Sequence, residues 1–261
     1  MDLELSDRLV VVTGASKGIG YACAAAFAAE GARIVMVSRS RANLDAAIAR
    51  LPRAAYVPAA IVADLVQADQ AQHMVEKAER DHGAIDVLVN SAGAARRYAP
   101  DDLDAQAWHD AMDAKFFSYI HPTDAVLKRM VPRGRGVIVN IIGSGGKVAN
   151  PVHLPGGAAN AALMLATVGL ASAFGGKGIR VNGINPGATL TGRVQEGLQA
   201  EARMTGMPES ELLSRNQMRI PLQRYARPEE VARVAVFLAS SQASYVTGAI
   251  VPMDGASNAV I

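Results

Sequence analysis

The chain has 261 residues, half of them hydrophobic, with 26 basic and 24 acidic side chains. That apolar content at a formal net charge of +2 excludes a disordered chain, and a single cysteine excludes an internal disulfide framework. Scattered cations and only 5% aromatic residues argue against a nucleic-acid surface.

Arg8–Thr13 opens the pattern, a nearly continuous apolar run of the kind a strand covered on both faces shows. Gly18–Glu30 follows with helical composition, then a second strand-like run at Arg33–Val37 and a helix over Arg41–Leu51. Strands are predicted at Ala55–Val62, Asp86–Val89, Gly136–Ile142 and Ile179–Ile184, with helices over Ala68–His82, Leu103–Met130 and Gly156–Phe174 between them. Periodicity fails from Asn185 to Leu222, and within it residues 188–222 read as a flap over a site or as a pair of surface helices. A last helix opens at Pro228-Glu229-Glu230, where proline suits the first turn, and a seventh strand lies near Ala249–Pro252. This order predicts one domain over residues 1–261. Its architecture is a Rossmann-type, doubly wound α/β sheet of about seven parallel strands with helices on both faces. The site belongs outside the strand C-termini.

Directly after the first strand, Thr13-Gly14-Ala15-Ser16-Lys17-Gly18-Ile19-Gly20 leads into a helix. Glycines at 14, 18 and 20 permit a tight turn, close approach to a pyrophosphate and close helix–strand packing, with the helix N-terminus facing the anion. The second strand ends at Ser38-Arg39, where an acidic residue would select the ribose hydroxyl of NAD; a cation there suits a 2′-phosphate, and Lys17 adds a second charge. The expected cofactor is NADP(H).

Together with Ala63-Asp64-Leu65, Asn90-Ser91-Ala92-Gly93, Arg180-Val181-Asn182 and the Pro186-Gly187 segment through Thr189 and Thr191, these motifs resemble the short-chain dehydrogenase/reductase family over essentially the whole chain. The resemblance implies that Gly14, Ser16, Lys17, Gly18, Ile19, Gly20, Ser38, Arg39, Asp64, Leu65, Asn90, Ala92, Gly93, Pro186, Gly187, Thr189 and Thr191 bind the cofactor. It also implies a catalytic tetrad of Asn, Ser, Tyr and Lys. Here Lys115 stands at the asparagine position, Gly143 at the serine with Ser144 one further on, Gly156 at the tyrosine and Asn160 at the lysine. Asn160 can still hydrogen-bond the nicotinamide ribose, but Gly156 cannot transfer a proton.

Three residues are candidates to replace the lost proton relay. Lys115 leads, as proton donor, oxyanion stabiliser or Schiff-base nucleophile. His153 lies on the loop before the Gly156 helix and is a residue type whose ordinary pKa suits acid–base work near neutrality, and Ser144 can bond a substrate oxygen or act as nucleophile with His153 as base. Lys147, Arg96 and Arg97 on loops at the same sheet edge suit an anionic small-molecule substrate. The five histidines show no metal-ligand spacing.

The first expectation is therefore an NADP(H)-dependent oxidoreductase acting on a carbonyl or alcohol with a non-standard proton donor. The alternatives are a non-redox hydrolase or lyase on the same scaffold, or a catalytically silent NADP(H)-binding module. The acidic opening Met1-Asp2-Leu3-Glu4 and the lack of an uninterrupted apolar run near 20 residues lead to an expected cytoplasmic protein that engages no membrane. The resemblance further implies a homo-oligomer, tetramer or dimer.

Overall fold

Valine and isoleucine runs too short for helices form the spine of the molecule. In the computed structural model, which describes residues 2–93 and 96–258, they make one sheet. Its strands are β1 (Leu9–Thr13), β2 (Arg33–Ser38), β3 (Ala59–Val62), β4 (Val87–Asn90), β5 (Gly136–Ile141), β6 (Ile179–Pro186) and β7 (Ile250–Met253). All pairings are parallel, in the order β3-β2-β1-β4-β5-β6-β7. The order reverses between β1 and β4, the place beyond the strand C-termini where open α/β sheets bind their ligands.

Alternate side chains of each strand feed two cores, because successive residues point to opposite faces. Val10 and Val12 pack with Phe27 of α1 (Gly18–Ala29), Leu44 of α2 (Arg41–Arg50) and Val231 of α9 (Pro228–Ala239). Leu9 and Val11 pack on the other face with Met74 of α3 (Ala68–His82), Val126 of α5 (Ser118–Arg133) and Ala171 of α6 (Leu154–Phe174). This is the expected Rossmann-like α/β architecture.

The structure departs from the predicted elements in two places and fills in a third. The third strand begins only at Ala59, since Pro58 offers no N–H to the ladder and Val57 before it is 89% exposed. The long helix expected over Leu103–Met130 is divided into α4 (Ala105–Ala111), a π-helical turn at Met112–Phe117 and α5. Asp104 starts α4 by accepting the Ala107 N–H at 2.7 Å. Residues 188–222 contain α7 (Gly192–Thr205) and α8 (Glu209–Met218), whose apolar signal is thin because Leu198 and Leu212 carry the burial.

By length and composition Pro151–Lys177 would suffice to cross a bilayer, with a mean hydropathy of 1.5. Counting uninterrupted apolar residues overlooks it because glycine, threonine and asparagine punctuate the run. In this fold α6 lies along β6 and the π turn, burying Pro155, Ala159, Leu163, Thr167 and Ala171.

Candidate active site

Strand β1 ends at Thr13, whose hydroxyl accepts the backbone N–H groups of Ser91 (3.0 Å) and Ala92 (3.2 Å). This ties the first loop to the turn after β4. Gly14 follows at φ +63°, and a Cβ there would stand 2.6 Å from the Ser91 carbonyl oxygen. Glycine alone lets the two turns pass so closely. Helix α1 has no side-chain cap and no acidic residue in its first turn. Its first N–H groups and positive dipole end are therefore available to an anion. Ser16 and Ile19 are partly exposed and Lys17 is exposed, while Gly18 adjoins the Thr191 side chain.

At the end of β2 the Ser38 hydroxyl donates to the Ser40 carbonyl (3.2 Å) and accepts the Ser40 N–H (3.3 Å). Arg39 is exposed between them, two residues past Val37, whose carbonyl accepts the Ala15 N–H of the phosphate loop (3.2 Å). After β3, Asp64 accepts the Val66 N–H at 3.3 Å, and the buried Leu65 has its carbonyl 3.2 Å from His121 Nδ1.

Asn90, the last residue of β4, is in register with Asn140, the penultimate residue of β5. Asn90 Nδ2 donates to Asn140 Oδ1 and Thr123 Oγ1, both at 2.9 Å, and Asn140 Nδ2 donates to Thr167 Oγ1 at 2.9 Å. Thr167 in turn donates to the Leu163 carbonyl at 2.7 Å. A buried polar chain thus crosses from α5 through the sheet to α6, and the Asn90 amide hydrogens are committed to it.

Strand β5 runs one residue beyond the end of β4. The Ile142 N–H donates across to Ile184 of β6 at 2.8 Å, so the Ile141 carbonyl, trans to it across the peptide, points to the side where β4 has stopped. Lys115 and Tyr119 take up that carbonyl. Lys115 Nζ donates to it at 3.0 Å and the Tyr119 hydroxyl at 2.5 Å, while Nζ also donates to the Tyr119 oxygen at 2.8 Å. Both side chains are buried. The Asn90–Gly93 turn lies directly on the residue before Lys115, since a Cβ on Gly93 (φ +86°) would overlap the Ala114 carbonyl.

Past β5 the chain folds back onto the head of α6. A Cβ on Gly143 would be 3.2 Å from Asn160 Nδ2, and one on Gly145 would be 3.2 Å from His153 Cδ2. Ser144, between those glycines, thus shares its surroundings with His153 and Asn160, and Lys115 reaches the same strand end from the other side. Gly156 is buried in the first turn of α6. One turn on, Asn160 is 5% exposed, and its Oδ1 has no hydrogen-bond partner.

Asn185 of β6 repeats that situation, with Nδ2 on the Met164 sulfur (3.0 Å) and an unpartnered Oδ1. Pro186 ends β6, the Gly187 N–H donates to the Met253 carbonyl (3.0 Å), and the buried Thr189 hydroxyl donates to Gly187 O (3.1 Å). Thr191 then opens α7. The return of this segment is pinned where Thr189 bridges Ala226. Beside the bridge, Arg224 grips Glu230 through bonds of 2.8 and 2.7 Å, and the Arg227 N–H donates to the same carboxylate at 2.7 Å. These partners hold Glu230 down at about 2.

The loop carrying Arg96 and Arg97 is joined to the His153 turn by a bond from the Tyr98 N–H to the Val152 carbonyl (3.1 Å). Arg96, Arg97 and Lys147 are exposed on this rim. Burial and Glu201 push the Tyr225 hydroxyl up, while Asn216, Arg219 and Arg97 oppose that shift. Among the described residues no three His, Cys, Asp or Glu side chains are placed to hold a metal ion.

Two site residues escape the sequence reading. Tyr119 lies four residues after Lys115, a helical spacing that could have flagged the pair. Asn185 directly precedes the Pro186-Gly187 motif, but nothing in the sequence tells that its carbonyl oxygen lacks a partner.

Comparison with known proteins gives a consistent picture. A family profile described as Enoyl-(Acyl carrier protein) reductase matches residues 14–257. The chain is 34% identical to gluconate 5-dehydrogenase of Gluconobacter oxydans, over 97% of its own length and 95% of that protein. It is 33% identical to the 3-oxoacyl-[acyl-carrier-protein] reductase FabG of Thermotoga maritima, over 97% and 98%. Among solved structures, L-sorbose reductase from Gluconobacter frateurii, complexed with NADPH and L-sorbose, superposes with a TM-score of 0.95 at 28% identity and full coverage of both chains.

Proposed function

The chain belongs to the short-chain dehydrogenase/reductase family, and on that premise we propose that it is an NADP(H)-dependent oxidoreductase in which Lys115 is the proton donor. Its substrate is a small carbonyl or alcohol compound. The observation that carries the reading is the burial of the Lys115 ammonium at the end of β5, next to the Asn90–Gly93 turn. Lys115 replaces the tetrad asparagine, and with Gly156 and Asn160 at the tyrosine and lysine positions the proton must come from elsewhere.

The residues present fit the cofactor. The Gly14–Gly20 cradle and the uncapped start of α1 receive a pyrophosphate, and Arg39 with Ser38 suits a 2′-phosphate. The unpartnered Asn160 Oδ1 is a buried acceptor awaiting a hydroxyl donor such as the nicotinamide ribose. Pro186, Gly187, Thr189 and Thr191 would hold the carboxamide side, and Asp64 and Leu65 the adenine side. When bound, a nicotinamide supplies or accepts the hydride. Lys115 then gives a proton to the substrate oxygen, or takes one in the reverse direction, and Ser144 holds that oxygen by a hydrogen bond. His153, on the same rim, supports an anionic substrate group together with Arg96, Arg97 and Lys147. Helices α7 and α8 act as the flap over this crevice.

The molecule works as a homo-oligomer. An apolar groove of about 420 Å³ between α5 and α6, with Leu127, Val131, Leu170 and Phe174 in its walls, supports this, as do the exposed Leu165 and Val168 beside it.

NADPH absorbance followed with a panel of ketoses, polyols, short ketones and 3-oxoacyl thioesters tests the reading. A panel member should be reduced or oxidised with cofactor consumption. Lys115→Met should lower kcat by about 10²–10⁴-fold with NADPH affinity retained. Substrate conversion without any change in the cofactor would sink the proposal in favour of a non-redox enzyme.

A further inference from the structure

Resting on the reading of Lys115 as proton donor, we infer that Tyr119 is its positioning residue, an amphoteric partner that satisfies the buried amine with or without its proton. An ammonium offers only donors, and the Ile141 carbonyl offers only an acceptor. That match is good while Lys115 is charged. Once a proton leaves, the nitrogen gains a lone pair that a carbonyl cannot meet, and in a buried site such a lone pair is costly.

The Tyr119 hydroxyl resolves this with no movement of heavy atoms. In the charged state it accepts from Nζ at 2.8 Å and donates to Ile141 O at 2.5 Å. After release, its O–H rotates from Ile141 O to the Nζ lone pair, and an Nζ–H keeps the carbonyl, already 3.0 Å away. In the reduction direction the Nζ–H bond breaks as the substrate O–H bond forms, and the electron pair stays on nitrogen. Solvent returns the proton afterwards.

On α5, which carries Tyr119 and packs against the π turn, the nearest titratable side chains in sequence are His121 and Asp124. Strand β5 and helix α6 carry no titratable side chain, Asp113 lies on the π turn itself, His109 and Asp110 on α4, and His153 at the head of α6. The stronger of the two Tyr119 bonds to nitrogen is the charge-assisted one. Removing the hydroxyl therefore costs the ammonium more than the amine, and Lys115 should lose its proton at lower pH.

The test is an NMR pH titration of the full-length protein labelled at the lysine side chains, with the Lys115 resonance assigned by its loss in Lys115→Met. In Tyr119→Phe the titration midpoint should fall by about one pH unit, the worth of a charged hydrogen bond. The basic limb of kcat should move with it while NADPH affinity holds. A midpoint unchanged from wild type overturns the inference. Should Tyr119→Phe fail to fold, replacing all six tyrosines with 3-fluorotyrosine weakens the same acceptor and should shift the midpoint in the same direction. A shifted midpoint with full turnover in Lys115→Met removes the donor role and leaves the pair standing. An unshifted midpoint with dead Lys115→Met does the reverse.

Discussion

At position 160 a buried amide has a carbonyl oxygen, Oδ1, with no hydrogen-bond partner. If Oδ1 meets a cofactor hydroxyl, Asn160→Leu removes one hydrogen bond at nearly constant volume. NADPH should then bind about tenfold more weakly, the equivalent of roughly 1.4 kcal/mol, with little change in thermal stability; an unchanged Kd in a fluorescence titration would falsify the assignment. Cys23 is the opposite case, a nucleophile by type whose burial pushes its thiol up to about 12, so it belongs to the core. The phosphate loop was legible from sequence because glycine at 14 is required by backbone geometry alone. Tyr119 was not, because its partner is a main-chain carbonyl exposed only by the unequal lengths of β4 and β5.

Elements show the same division. Strands buried on both faces read cleanly as apolar runs, and the helices that cover them were placed within a few residues. The π turn at Met112–Phe117 was illegible, since a bulge of one residue leaves composition untouched, yet it carries the site's buried lysine. Helices α7 and α8 were legible only as one of two readings, because each buries so little. Their return is anchored by Arg224 and Glu230, and here pH becomes a lever. Glu230 sits at about 2 when folded, against a usual 4.5. Its stabilising contribution is complete above pH 4.5 and disappears as pH falls toward 2. Glu230→Gln should therefore melt below wild type at pH 7, and the gap should close progressively in melts between pH 4.5 and 2; a gap independent of pH would assign the effect to packing. A parallel clamp is Arg180 of β6, which donates to the carbonyls of Leu238, Ala239, Ser240 and Val246 and closes the end of α9.

For the whole molecule, the seven-stranded parallel sheet with helices around it followed from the alternation of elements, whereas the outer face of α6 did not declare its purpose. Leu165 is 77% exposed and Val168 45% exposed on a helix that also passes for a membrane span. If a second copy covers this face, Leu165→Glu should lower the mass seen by sedimentation at micromolar concentration without lowering helix content. Wild type already running as a monomer would dismiss that interface.

The polar chain through Asn90 and Asn140 has a further consequence. The segments Val87-Leu88-Val89 and Val137-Ile138-Val139 are interchangeable as apolar surface, so burial alone distinguishes poorly between neighbouring alignments of β4 and β5. The two amides distinguish them sharply, because any other alignment breaks the buried bond between Asn90 and Asn140. They act as a key that selects one alignment. A slip of one residue, about 3.3 Å, would carry the Ile141 carbonyl away from Lys115 and Tyr119. The amide pair thus sets the height at which Lys115 and Tyr119 meet that carbonyl, although neither amide touches it.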